Sequence, residues 1–479
     1  MIMKFNLCLV FLMALSSGLM AQEERGVLAV NASLASYTSS GKDLPFWLKS
    51  NQDGVFSSAY NLTQLLRTGF SRSFGNSVKG LDYTFGAEVV AGYGDKLYYQ
   101  PNQYWIGVKY DWVTLKFGAE ADPVRFGGLS STNGNMDASN NARPLPRISL
   151  ATNDYVSFPF NRGFFSWKAL YSEGMILDNS YIQNAHLHHK SFSGKVELPW
   201  KLDISFGLDH YVFWGGTSPS GGRLPGWKDY FRYILSLRAG SDFPPGDQSN
   251  AAGSQLFLYN LEVHKVFNEK QVTFYWNHPF QNRSGMKLAN IADGLWGIHF
   301  SMGNDPRMVS EFVYEWMNTL SQENIATSGQ IYSGESYFNN SVYQSGFTHF
   351  AQMMGSPIFV PTLNDSGASV GFEDTRMWMH HLGAKGFLGK SLRWKVLLTY
   401  SGNFGTGGYS LSTPVKEFSS LEELIYVPKN SPLEFNLAVA NDLGQRFENR
   451  TGFTVGLNWR PSEETRKRGE WVIRKRRYF

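Results

Sequence analysis

Apolar and polar residues alternate one by one along long segments of this chain, and that period constrains the fold more than any motif does. In Leu81-Asp82-Tyr83-Thr84-Phe85-Gly86-Ala87-Glu88-Val89 one side is apolar and the other carries two carboxylates. The rhythm returns in Val113/Leu115/Phe117/Ala119 against Thr114/Lys116/Gly118/Glu120, and in Leu202/Ile204/Phe206/Leu208 against Lys201/Asp203/Ser205/Asp209. It returns again in Phe312/Tyr314/Trp316 against Glu311/Glu315. Successive side chains of a strand point to opposite faces, so these segments read as strands with one apolar and one polar side. The apolar side faces a second sheet in a soluble sandwich, whereas in a membrane barrel it faces lipid and the polar side faces a wet lumen.

The beginning of the chain favours the barrel. Lys4 precedes the apolar stretch Leu7 to Leu15, and Leu19-Met20-Ala21 ends in a small residue before Gln22-Glu23-Glu24. That is the layout of a secretory signal peptide over residues 1–21, removed near Ala21. Cys8, the one cysteine, lies inside that leader. The mature chain is therefore expected to lack disulfides and thiolate metal sites. No window approaches the roughly eighteen consecutive apolar residues of a spanning helix. A closed barrel is the other structure that satisfies every backbone hydrogen bond in lipid, and the abundance of aromatic residues and glycine suits it.

The pattern predicts an all-β outer-membrane barrel of about 18 antiparallel strands over residues 22–460, followed by a basic tail at 461–479 that is expected to be periplasmic. Strand candidates include 153–159, 229–239 and 343–351, with 434–441 and 451–459 as the last two. Tight turns at Tyr110-Asp111-Trp112, Pro199-Trp200, Phe267-Asn268-Glu269-Lys270 and Gly303-Asn304-Asp305-Pro306 are expected at the periplasmic end. The alternation of long and short connections breaks after residue 213, because 214–228 and 240–254 are both long. One strand is thus misplaced there, or one long loop faces the periplasm. Arg450 to Leu457 resembles the terminal-strand signal read by the barrel insertion machinery.

Catalytic patterns are absent from the sequence: there is no GxSxG elbow, HExxH helix, P-loop or dinucleotide fingerprint. The pairs His188-His189 and His380-His381 place adjacent residues on opposite faces of a strand and cannot chelate one metal together. The reading is a non-enzyme with no cofactor, no metal and no nucleic-acid partner, acting as a monomer among outer-membrane lipids. Sugar binding has better candidates, because aromatic faces stack on sugar C–H surfaces and buried hydroxyls need hydrogen-bond partners. Asp209-His210-Tyr211-Val212-Phe213-Trp214-Gly215-Gly216 places such groups at a strand end. An interfacial aromatic girdle explains the same residues equally well. The connection 121–152 carries Arg143 and Arg147 around stiff prolines, which argues for an ordered loop in the lumen or over its mouth.

Several of these segments resemble the Wzi capsule assembly family, in the form found in Bacteroides-like bacteria. They are Tyr337-Phe338-Asn339-Asn340, Tyr343-Gln344-Ser345-Gly346-Phe347, Gly355-Ser356-Pro357, Asp209-His210-Tyr211 with Trp214-Gly215-Gly216, His188-His189-Lys190, and Arg376 to His381-Leu382-Gly383. The resemblance implies an outer-membrane barrel that acts as a lectin, holding exported capsular polysaccharide at the cell surface. The site residues expected are Arg143, Arg147, His210, Tyr211 and Trp214, then Tyr343 and His381. Arginine suits acidic sugars through forked, charge-assisted hydrogen bonds. A porin or substrate channel is the alternative, and an outer-membrane hydrolase a third reading.

Overall fold

Eighteen antiparallel strands, each hydrogen-bonded to the next in sequence, close into one barrel in the computed structural model. The described residues are 28–460 apart from 57–63, 76–78, 95, 160–162, 249–250, 304–305, 323–325, 328–329, 332–334, 407–408 and 430. The leader expected at 1–21 and the tail expected at 461–479 lie outside them.

The strands begin with β1 Leu28–Ser39, β2 Gln64–Arg72, β3 Leu81–Tyr93, β4 Leu97–Tyr110, β5 Val113–Ala119 and β6 Arg147–Thr152. Val156–Ser157 pairs with the same neighbour as β6 and continues it. Then come β7 Phe165–Met175, β8 His186–Leu198, β9 Leu202–Trp214, β10 Ser254–Phe267, β11 Lys270–Phe280 and β12 Gly294–Ser301. The wall ends with β13 Glu311–Asn318, β14 Met377–Phe387, β15 Leu392–Gly405, β16 Ser410–Tyr426, β17 Leu433–Gly444 and β18 Arg450–Trp459. β18 pairs with β1 from Ala32↔Trp459 to Ser39↔Gly452, which closes the barrel sheet on itself. The terminal strand expected near 451–459 is therefore the closing strand.

The two faces separate as the alternation requires. Leu81, Tyr83, Val89, Ile106, Val108, Leu115, Phe117, Phe206, Leu208 and Tyr314 project outward and are exposed, while Thr84, Val90, Thr114, His189 and Glu315 project inward. So continuous an apolar exterior is a surface for lipid rather than water. The four longest connections, 40–63, 120–146, 215–253 and 319–376, all leave from one end of the barrel. The turns at Asp111-Trp112, Trp200 and Asn268-Glu269 lie together at the other end.

Three strand expectations need correction, and one further strand was not expected. Residues 229–239 are no strand: they hold the short helix α1 Tyr230–Ile234, so one loop runs from β9 to β10 and the long-short rhythm is restored. Residues 343–351 are loop, with only Thr348–His349 paired to Gln352–Met353. The strand expected at 153–159 starts six residues earlier, at Arg147. Ser410–Tyr426 is a strand that the alternation did not disclose, because Pro414 interrupts it. Proline cannot donate to a ladder, and here it falls where the register shifts between Asn403 and Gly405.

Candidate functional site

The loop between β5 and β6 turns inward and fills the lumen. Glycine makes this possible at its tip, since Gly127 (φ 61°) and Gly128 (φ 73°) adopt the left-handed conformation that costs other residues about 1–2 kcal/mol. Beside them Phe126 stacks on Tyr275 of β11 (centroids 4.6 Å, interplanar 13°), and Arg125 pairs with Glu262 of β10. Lys385 of β14, paired with Glu311 of β13 at 2.9 Å, also donates to the Gly127 carbonyl at 3.2 Å. Glu311 and Lys385 stand near the short-turn end of their strands, so the tip reaches almost through the barrel.

A fully buried carboxylate holds the next residues. Glu315 Oε1 accepts from Ser130 Oγ at 2.5 Å and Tyr275 OH at 2.6 Å, and its Oε2 accepts from the Ser131 amide at 2.8 Å and Ser131 Oγ at 2.5 Å. Bonded on both oxygens, this carboxylate meets the condition for burying a charge. Two other loops lie over the plug. Asp53 and Gly54 donate backbone N–H groups to the Asn140 and Asn141 carbonyls, and the Ser139 amide donates to the Met354 carbonyl at 2.9 Å. Tyr337, Phe338, Tyr343, Phe347, Phe359 and Phe372 of the 319–376 loop form a buried apolar lid.

Between the plug and the inner face of β7, β8 and β9 is a cavity. It offers about 80 Å³ to the centres of water-sized molecules, several times what one water needs. Its lining includes Asp137, Asn140, Arg143 and Arg147 from the plug and its exit, His189 and Tyr211 from the wall, and Phe347 from the lid. Several buried polar atoms here have no hydrogen-bond partner among the described residues: both carboxyl oxygens of Asp137, Asn140 Oδ1, Arg143 Nε and the Tyr211 hydroxyl. Burial, with Asp209 adding to it, pushes the Asp137 carboxyl well above the usual carboxylate range. Arg143 donates to Gln100 Oε1 at 2.5 Å and lies 3.6 Å over the Phe350 ring, and no carboxylate among the described residues pairs with it. Burial lowers its affinity for the proton. Arg147 is paired with Asp122 at 3.0 Å on the open side, where the Asp122 side chain is 45% exposed.

Three of the seven expected site residues, Arg143, Arg147 and Tyr211, thus share this cavity. Tyr343 lies in the lid, where its hydroxyl donates to the Gly215 carbonyl at 3.3 Å. His381 is on β14, outside the cavity lining, and serves the plug, donating from Nε2 to the Leu129 carbonyl at 2.8 Å. His210 and Trp214 face outward, because their places on β9 alternate with those of Tyr211 and Phe213. His189 does face inward and His188 outward, as adjacent strand residues must. His189 supports the cavity by stacking on Tyr211 (4.0 Å, 13°) and bonding Asp209 at 2.8 Å. Asp137 was missed: a lone acid in a polar loop carries no sequence sign that its partners are absent. Among the described residues no group of three metal-ligating side chains is present.

A search of the curated proteins found no match. Among solved structures the chain is similar to Wzi of Escherichia coli, an outer-membrane protein involved in group 1 capsule assembly and described as a carbohydrate-binding β-barrel. Identity is 14%, covering 89% of this chain and 83% of that one, with a TM-score of 0.56. The Pseudomonas aeruginosa proteins OccK5 (OpdH) and OprD match at 10% identity and a TM-score of 0.46, covering 91% and 92% of this chain and 98% of each of those. The family model of capsule assembly protein Wzi matches residues 107–361, more than half of the chain, from β4 through the plug and the cavity wall into the lid. With the outer-membrane type of barrel and that match together, the chain belongs to the Wzi capsule assembly family.

Proposed function

We propose that this protein binds surface polysaccharide at the outer membrane and helps to assemble or anchor a capsule, without chemical turnover. The leader directs export and is removed near Ala21, the long-loop end faces the medium, and the barrel acts as a monomer.

The observation that carries this reading is the cluster of partnerless polar atoms in the cavity, inside a barrel already filled by its own loop. A buried polar atom without a partner costs about 1–3 kcal/mol, so several in one cavity favour an occupant that both donates and accepts hydrogen bonds. Saccharide hydroxyls do both. Arg143 adds a cation without a carboxylate partner among the described residues, which suits a sugar carrying a carboxylate. The filled lumen works against a diffusion porin.

Purified capsular polysaccharide is expected to bind the intact barrel in a co-sedimentation assay, and Arg143→Ala with Tyr211→Phe to weaken it about tenfold or more, the effect of losing about 1.4 kcal/mol. Deleting the gene is expected to release capsule into the medium while synthesis continues. Undiminished binding by the double variant removes the cavity from the site, and unchanged capsule retention sinks the function.

A further inference from the structure

The loop from β9 to β10 folds down over the outside of the barrel. On β9 the inward residues Tyr211 and Phe213 join the interior apolar cluster, whereas the outward residues Val212 and Trp214 pack with Tyr233, Phe243 and Ala252 of this loop. The same cover hides His210, which bonds Gln255 at 2.5 Å and stacks on Phe257 (4.1 Å, 2°). It also hides Glu173, which accepts from Trp214 Nε1 at 3.2 Å and from the Tyr230 hydroxyl. Directly below, Phe192, Phe206 and Leu208 belong to the exposed lipid-facing belt. Leu208 is two residues along β9 from His210, a step of about 7 Å.

What this cover presents outward is unusual for a loop. Trp227 (63%), Phe231 (69%), Leu235 (57%) and Leu237 (47%) are exposed large apolar side chains. Interleaved with them, Arg223, Lys228, Arg232 and Arg238 are exposed cations. The acid in that stretch, Asp229, is paired with Arg232 at 3.2 Å. Exposed apolar groups continuous with a lipid-facing belt, set among cations at the long-loop rim, match the boundary between acyl chains and anionic headgroups.

We propose that residues 223–238 are an interfacial foot seated in the outer leaflet, with the four apolar side chains among acyl chains and the four cations against the phosphates of a phosphorylated glycolipid. The proposal is independent of the glycan reading, since Tyr233 seats this stretch on the outward residues Val212 and Trp214 of β9 and none of residues 223–238 lines the cavity.

Native mass spectrometry of the detergent-solubilised full chain tests it, with phosphorylated lipid A as the probe. The wild type is expected to retain the lipid at least about tenfold better than a variant carrying Arg223→Gln, Lys228→Gln, Arg232→Gln and Arg238→Gln, and better than it retains dephosphorylated lipid A. Equal retention in these comparisons overturns the phosphate site. A spin label on Phe231→Cys, in the mature barrel reconstituted in lipid A vesicles, gives a reading that needs no charge variant. Greater collision with oxygen than with an aqueous nickel chelate is expected. The reverse order places the foot in water and overturns the proposal.

Discussion

His381 Nε2 donates to the Leu129 carbonyl at 2.8 Å, joining a wall strand to a loop made 252 residues earlier in the chain. Its Nδ1 lies 2.8 Å from Thr399 Oγ1, which also accepts from Trp47 Nε1 at 3.1 Å. One histidine thereby links the plug, the wall and the first loop.

Release of that link, together with Glu315, is expected to open the lumen. Glu315→Ala leaves Ser130, Ser131 and Tyr275 without their acceptor, at about 1–3 kcal/mol for each buried donor. In planar bilayers the wild type is expected to pass little current, and the Glu315→Ala, His381→Ala double variant measurably more. Indistinguishable currents show that neither residue holds the plug.

Gly54 packs the first loop against the plug with no room to spare. Its φ is 64°, and a Cβ there sits 2.3 Å from the backbone nitrogen of Arg143. Gly54→Ala is expected to separate the two loops and leave the wall intact. Proteolysis near residues 50–56 and 140–145 should accelerate while heat-modifiable gel mobility of the barrel stays unchanged; unaltered cleavage refutes the contact.

The lid is expected to tighten in acid. Burial pushes the Glu335 carboxyl up to about 7 and that of Asp293 up to about 6, against ordinary values of 4.5 and 3.8. Asp293 accepts from the Tyr337 hydroxyl at 3.0 Å, which couples it to the lid. A carboxyl raised on folding stays protonated in the folded lid after the released segment has ionised. Its stabilising effect is full below the ordinary value and is lost as pH rises through the folded value. Hydrogen exchange of residues 335–347, corrected for intrinsic rates, should therefore be slower near pH 4 than near pH 8. Glu335→Gln should flatten that difference, and an unchanged profile in the variant removes Glu335 as its source.

Asp137 offers a way to read what the cavity accepts. If a neutral, hydrogen-bonding group is what the occupant meets there, Asp137→Asn keeps polysaccharide binding and Asp137→Leu loses about tenfold, one buried hydrogen bond. Co-sedimentation with purified polysaccharide checks both, and equal binding by the leucine variant excludes Asp137 from contact.

The wall was legible because lipid on one side and a polar lumen on the other force period two on almost every strand. Errors arose where that contrast fails. Phe231, Tyr233, Leu235 and Leu237 alternate like a strand, yet they belong to a segment with the barrel on one side and an exposed face on the other. Tyr343, Ser345, Phe347 and His349 alternate too, but all four are buried, so their pattern reports an enclosed loop rather than a two-faced sheet. For the site, Arg143, Arg147 and Tyr211 stood out through their chemistry. Which of their neighbours remain unpartnered depends on how three loops interlock, and that is set by contacts such as Ser139 to Met354, 215 residues apart.

The plug also has a bearing on biogenesis. It emerges between β5 and β6, whereas Glu315 and Lys385 that hold it belong to β13 and β14, and the seam from Ala32↔Trp459 to Ser39↔Gly452 needs the last strand of all. The cargo is thus made long before its container. The insertion pathway must keep residues 120–146 on the concave side of a growing, still curved sheet and zip the seam around them, so this barrel is packed as it closes.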